Sequence, residues 1–346
     1  MKLCERQTTW LWGISRGAAL ALLLVHGACA FAQPQTYRLE NQYLRFEFTP
    51  LLGGRGLWFG AARQANLLRV GEAIREDPSP IISAEGVNYP YLGHIVWIGP
   101  QANWWRQQSL NDKRREAGAP WPPDPWTVLV PNELVSLTED AAVLTAPASP
   151  VTGLRLEKRF RLDGSALVLE VEAQNARAEP VSWDIWFNTR VAPGAHVVVP
   201  VRDMKTDVRL QTFEGGAAAP DPQGAEDGYF SFAPGGEHKA KALIQPSAGW
   251  LAAFTAGQLF VIEFDWQSRE AIHPDQGQVE LYLDSNPDSG LLELEVHSPF
   301  KTLAPGDRMV AEERWHAWPS TASTPAERLA QLKLNGYRVV GSPARE

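Results

Sequence analysis

Apolar and polar residues alternate with a period of two along nearly the whole chain, and turn residues separate the runs. Leu44, Phe46 and Phe48 alternate with Arg45 and Glu47. Leu154, Leu156, Phe160 and Leu162 repeat the pattern, and Leu167, Leu169 and Val171 return against Glu170 and Glu172. Between these two runs, Asp163-Gly164 reads as a hairpin turn. Successive side chains of a strand point to opposite faces, so this spacing sets one apolar face against one charged face. Further strands read at 181–187, 259–266, 279–283 and 291–296. Helical spacing is nearly absent until Thr324-Pro325-Ala326-Glu327, an N-cap with proline in the first turn. Leu329, Leu332 and Leu334 follow as one short closing helix. So many antiparallel strands in a chain of 346 residues predict an all-β fold, a large antiparallel sandwich with one C-terminal helix.

The first 32 residues are set apart from that pattern. Lys2, Arg6 and Arg16 precede an apolar run over 18–25, and Ala30-Phe31-Ala32 fits the small-x-small rule for cleavage before Gln33. This is the layout of a secretory signal peptide, and the run is far short of the ~20 residues that span a bilayer. The expected product is a single domain over 33–346, periplasmic or secreted. A lipoprotein reading through Cys29 lacks the usual pattern in His26-Gly27-Ala28. Both cysteines, Cys4 and Cys29, lie in the leader, so the mature chain has no thiol chemistry and no disulfide. A chain this long buries enough core to do without one. The whole chain has 32 basic and 40 acidic residues; the leader takes three basic ones and Glu5, leaving a net charge of −10. An acidic exported protein is poorly suited to nucleic acid or to an anionic membrane surface, and no second run of membrane length follows.

Tryptophan is abundant, with 14 in the chain. Most belong to core and sheet packing, and some are candidates for platforms under sugar rings. Residues 99–126 form a long irregular segment holding Trp104-Trp105-Arg106, the basic run Lys113-Arg114-Arg115 and Trp121-Pro122-Pro123-Asp124-Pro125-Trp126. Loops of this length in a compact domain are functional or disordered, and four tryptophans argue for a rigid loop presenting aromatics, Trp104 and Trp121 among them, at a cleft rim. The other reading is a plug over an open sheet edge. The basic run is either a solvated face or a contact for an acidic substrate. Residues 215–236, rich in Gly, Ala, Pro and Asp, read as a surface excursion.

Several phrases together resemble the galactose-mutarotase-like superfamily, aldose epimerases among them, and within it a bacterial branch of domain-of-unknown-function type. Gly53-Gly54-Arg55 followed by Ala65-Asn66-Leu67-Leu68 resembles the opening hairpin of those proteins. Leu92-Gly93-His94 falls where mutarotases carry L-H-G-G, and Trp97-x-Gly-Pro-Gln with Trp121-Pro-Pro-Asp resembles the bacterial branch. Leu294-Glu295-Val296-His297-Ser298-Pro299 is similar to the L-E-T-Q phrase, with the turn Leu303-Ala-Pro-Gly-Asp307 after it. The resemblance covers most of the mature chain. It implies the superfamily's sandwich, a concave cleft and a carbohydrate partner, and fold alone leaves open which chemistry is hosted.

Mutarotation takes a proton from the anomeric hydroxyl and gives one to the ring oxygen, so it needs a base and an acid about one sugar ring apart. The resemblance implies that Glu295 is the base. Alternation puts Glu293, Glu295 and His297 on one strand face, which is either a site or a solvated outer surface. Where mutarotases carry their acid in N-H-x-Y-F-N-L, this chain reads Trp183-Asp184-Ile185-Trp186-Phe187-Asn188-Thr189. Asp184 thus replaces the acid His, and a carboxyl needs burial to stay protonated near neutral pH. Asp184, Trp186, Asn188 and Arg190 share a face, offering carboxylate, amide and guanidinium for hydroxyls beside an indole for a ring. By its motif, His94 is expected in the cleft, as is Arg55. His196, His238, His273 and His316 read as structural. No metal motif, nucleophile elbow or phosphate-binding loop is present, and no cofactor is expected.

The resulting expectation is an exported carbohydrate-binding protein with, at most, residual epimerase-type activity. Two other readings stay open: an active epimerase-like or polysaccharide-lyase-like enzyme using Glu295 with His94 or Asp184, and a structural envelope protein.

Overall fold

A computed structural model describes residues 34–213, 219–232, 238–286 and 290–339. The leader read over 1–32 and its cleavage point lie outside the described residues. Two large antiparallel sheets make up the fold. The first runs, in spatial order, through Tyr37–Glu40, Leu44–Thr49, Arg55–Ala61, His94–Gly99 and Val181–Val191. It continues through Leu291–His297, Val279–Asp284, Lys239–Ile244 and Val208–Thr212, with the short Lys301–Leu303 pairing onto Val181–Val191. The second runs through Pro222–Gln223, Tyr229–Phe232, His196–Pro200, Trp250–Thr255 and Gln258–Phe264. Arg308–Pro319, Ala166–Asn175, Leu154–Asp163, Ala141–Thr145 and Glu133–Leu137 complete it.

The period-two pattern decides which faces meet. Phe46 and Phe48 of the first sheet pack edge-on against Phe160 of the second, each at 5.1 Å between ring centres. Phe59 meets Trp315 at 5.0 Å and Phe260 at 5.3 Å. Buried aromatic pairs of this kind add about 0.5–1.5 kcal/mol each beyond the area they bury. The Leu154–Asp163 and Ala166–Asn175 strands turn at Gly164, which takes φ 59. Their outer face is charged, with Arg159 paired to Glu157 and Glu170. The Gly53-Gly54 turn also needs glycine. Both residues have positive φ, and a Cβ on Gly53 would sit 2.6 Å from the Val128 carbonyl oxygen.

The two sheets differ in what lies outside them. The second is solvated over the strands around Leu154–Asp163, whereas the central strand of the first, Val181–Val191, is buried on both faces along almost its whole length. Something must therefore cover its outer face, and the irregular segment after Gly99 does so. Trp104 and Trp105 are buried there, donating Nε1 to the carbonyls of Ile98 (2.5 Å) and Pro122 (2.7 Å). The basic run is a short helix, Asp112–Glu116, capped by Asn111. Arg114 lies over the Trp105 ring and donates to Gly86, and Arg115 pairs with Asp112. These two arginines hold the loop together.

One expectation changes. The stretch 215–236 is not simply a surface excursion: its described part contains Tyr229–Phe232, a buried strand paired with His196–Pro200, and Phe230 and Phe232 join the core between the sheets. Aromatic residues outweighed the turn-rich composition around them. The closing helix, Pro325–Leu334, has the full capping box between Thr324 and Glu327. Leu332 is buried and Leu329 packs beside it on a cluster with Trp250 and Phe254, but Leu334 points into solvent at 86% exposure. No helix among the described residues is long and apolar enough to cross a membrane.

Candidate functional site

The covered outer face of the first sheet encloses a cavity of about 690 Å³. Its position follows from alternation in Val181–Val191. Trp183, Ile185, Phe187, Thr189 and Val191 face the sheet-sheet core, so Asp184, Trp186, Asn188 and Arg190 face the covered side. The neighbouring strand Leu291–His297 presents Glu293, Glu295 and His297 to the same side, and the next strand presents Glu280 and Tyr282. Register brings them side by side. Glu295 lies opposite Asn188 and Glu280, Glu293 opposite Arg190 and Tyr282, and His297 opposite Trp186. The face carrying Glu293, Glu295 and His297 is thus a cavity floor and not a solvated surface.

One cation ties the floor together. Lys241, from the Lys239–Ile244 strand, places Nζ 2.6 Å from Glu280 Oε2 and 2.9 Å from Glu295 Oε2, and 4.9 Å from the Trp186 ring centre. Burial would lower this lysine, but the two carboxylates outweigh it and hold the ammonium charged. The carboxyls are split in opposite directions. Burial would raise Glu280, yet Lys241 and His297 overcome it and hold Glu280 far below the usual carboxylate range. Burial raises Glu295 well above that range against the pull of Lys241, reinforced by the adjacent Glu293 and Glu280. The site therefore holds an ionised carboxylate beside a neutral carboxylic acid. Arg190 donates Nε to Glu293 at 2.8 Å and lies over Trp97 at 4.8 Å.

Below Trp186 runs a buried relay. His297 Nδ1 lies 2.9 Å from Asp184 Oδ1 and 2.9 Å from Gln276 Nε2, while Nε2 is 3.7 Å from Glu280 Oε1. Burial disfavours the imidazolium, but Glu280 and Asp184 raise it to about 9.

Of the residues expected to form the site, Arg55, Trp121, Trp186, Arg190 and Glu295 line the cavity. Asp184, Asn188 and His297 share its face but lie fully buried beneath it. Two expectations are corrected. His94 does not reach the cleft: set opposite Thr189 in register, it lies on the core face, bonds Thr189 Oγ1 at 2.9 Å and packs edge-on to Trp315 at 4.8 Å. Burial, with Lys158, Arg190 and Arg55 nearby, keeps its imidazole neutral. Trp104 is likewise a supporting ring, stacked behind Trp186 at 5.8 Å and edge-on to Trp97 at 5.5 Å. Trp121 stands at the rim, 47% exposed. The sequence reading missed Lys241, Glu280, Gln276, Trp97 and Tyr282. Alternation in Lys239-Ala240-Lys241-Ala242 marks a polar face, but only register shows which carboxylates it meets.

Glu280, Glu295 and His297 bring ligand atoms within 4.8 Å of one another, a spacing that suits a metal ion. The ammonium of Lys241 already fills the place between the two carboxyls, and Glu280 and Asp184 hold His297 as an imidazolium with no lone pair to offer, so the donor set does not fit one.

Two antiparallel sheets with a charged, tryptophan-walled cavity on the outer face of one make this a β-sandwich with a candidate ligand site. The chain belongs to the DUF4380 family, a domain of unknown function, whose model matches residues 35–318. No curated protein matches the sequence. Among solved structures, it is similar to a Synechocystis protein at TM-score 0.55 and 14% identity, covering 90% of this chain and 100% of that one. A galactose mutarotase related enzyme from Lactobacillus acidophilus aligns at TM-score 0.52 and 9% identity, over 84% of this chain and 99% of the other. A galactose mutarotase-like protein from Lactobacillus casei aligns at 0.52 and 10%, over 82% and 100%. At these identities the likeness is one of fold.

Proposed function

We propose that this protein is exported and binds a sugar or glycan in the cavity above Trp186. One observation carries the reading. Polar atoms without protein partners gather on residues that line the cavity: Trp186 Nε1, Arg190 Nη1 and Arg55 Nε. Buried polar groups are nearly always hydrogen-bonded, so such a concentration beside a cavity calls for a hydroxyl-rich occupant. Trp97, Trp121 and Trp186 supply apolar surface for the C–H faces of a pyranose. The fold shared with mutarotase-like proteins supports the same class of ligand.

A thermal-shift and calorimetric screen of residues 33–346 against mono- and oligosaccharides tests the reading, since a ligand at 100 times its Kd stabilises the native state by about 2.7 kcal/mol. No shift with any saccharide refutes it and favours a structural role. Export is checked separately by intact-mass spectrometry: the mature chain should begin at Gln33, and a lipid-bearing Cys29 would overturn the leader assignment.

A second reading has its own support. Two carboxyls pushed in opposite directions are the arrangement of a base and an acid, here Glu280 ionised and Glu295 protonated, the reverse of the role that the resemblance gave Glu295. Asp184 is closed off from the cavity by its pairing to His297, so it has no path to a substrate proton. Polarimetry of anomer interconversion over a panel of aldoses separates the readings. Binding alone leaves the spontaneous rate unchanged, whereas acceleration that is lost in Glu280→Gln and Glu295→Gln establishes the enzyme.

A further inference from the structure

Arg55 carries a charge that its surroundings do not answer. Its side chain comes off the glycine turn into the cavity wall and is 3% exposed. Nη1 donates to the Leu92 carbonyl at 2.6 Å and Nη2 to the Val128 carbonyl at 3.0 Å, while Nε has no partner. The Tyr91 ring lies 5.5 Å from its Cζ. Among the described residues no carboxylate pairs with Arg55, and Arg190, a second cation, is its strongest charged neighbour. Burial first and Arg190 second lower Arg55 to about 9.

The other cavity cations are matched. Lys241 has Glu280 and Glu295, Arg190 has Glu293, and Lys239 faces Asp284 at 3.9 Å. Of these four cations only Arg55 has no carboxylate within ion-pair distance among the described residues. Arg190 also keeps Nη1 unpaired. A buried guanidinium without an anion is costly, and its planar fork fits carboxylate or phosphate oxygens better than a lone hydroxyl.

We propose that the cavity takes a saccharide bearing an anionic substituent, a carboxylate or a phosphate, with the anion seated on Arg55 and Arg190 and the sugar ring against Trp186 and Trp97. This rests on the carbohydrate-binding reading and narrows it. The anion would neutralise the one unanswered charge in the wall. The ring hydroxyls would then meet Lys241, Glu280 and Glu295.

The test is calorimetry of the wild-type mature chain with sugars that differ only in the anionic group. Galactose, galacturonic acid and galacturonic acid methyl ester form one series, and glucose, glucuronic acid and glucose 6-phosphate another. The expected result is at least a tenfold preference for an acidic member over its neutral counterparts, weakening with added salt. Preference for the uronates or for the phosphate identifies which anion is read. Arg55→Lys, which keeps the charge but removes the fork, should narrow the acid-to-neutral ratio, and the wild-type series remains decisive if that variant does not fold. Neutral sugars bound as well as the acids would overturn the proposal and leave the carbohydrate reading standing. Binding of none of these sugars, nor of any other saccharide, would end both.

Discussion

Lys241→Met removes the ammonium that joins Glu280 to Glu295 and keeps most of the side chain's length. In the native protein Nζ lies 2.6 and 2.9 Å from the two carboxylates, which are 3% and 0% exposed. Deleting one member of a buried ion pair strands the other, at a cost of about 3–5 kcal/mol. The stranded charge belongs to Glu280, because burial and its acidic neighbours already keep Glu295 protonated. In the wild type the native value of Glu280 is depressed, so its stabilising contribution is complete above the unfolded value of about 4.3 and is lost as pH falls through the native value. Without Lys241 only His297 and the Gly277 N–H, which donates to Oε1 at 3.0 Å, are left to oppose burial, and the native value rises. The deficit is then full at neutral pH and shrinks in acid, where the variant's Glu280 takes up a proton. Urea denaturation at about pH 7.5 and about pH 4.5 measures both arms. The expected loss is about 3–5 kcal/mol in the first and clearly less in the second, with Lys241→Met/Glu280→Gln recovering much of it. A loss below about 1 kcal/mol at neutral pH, or one that does not shrink in acid, would refute the buried-charge argument.

Three further outcomes are expected. Glu313 is buried between the sheets with Trp315 Nε1 as its donor, and burial raises it to about 8. A carboxyl raised in the native state loses stability as pH rises from its unfolded value toward 8, so Tm of Glu313→Gln should fall less than wild type between about pH 5.5 and about pH 8.5. Asp184→Asn removes one of the two carboxylates that hold His297 near 9. An NMR titration of that imidazole should then show a midpoint at least about one unit lower, and an unmoved midpoint would mean that Glu280 alone sets it. Trp121→Ala, at the exposed rim, should change stability by less than about 1 kcal/mol yet weaken saccharide binding roughly 3- to 10-fold, as calorimetry reads it.

The sandwich could be read from the chain because its cause is local. Leu154 to Leu162 and Leu167 to Val171 alternate around a glycine turn, and a period of two admits only a strand with one buried face. Thr324 and Glu327 specify the helix start for the same reason: the groups that bond lie three residues apart. Sharing of a face within one strand was equally legible, so Asp184, Trp186, Asn188 and Arg190 were grouped without coordinates, as were Glu293, Glu295 and His297. Whether a face looks into the core, a cavity or water is not a property of the strand that carries it. His94 had the motif of a cleft residue and landed on the core face against Trp315, because its register sets it opposite Thr189, whose side chain also faces the core. Glu280 and Lys241 meet Glu295 only because separate strands align in one register, and the site's charge state follows from that alignment. Burial, which holds Glu295 neutral and leaves Arg55 unanswered, belongs to the assembled sheets and the loop across them. The sequence therefore determined the strands and their faces, and the tertiary structure alone decided which polar residues share a dry cavity, because desolvation and charge pairing depend on distances between strands far apart along the chain.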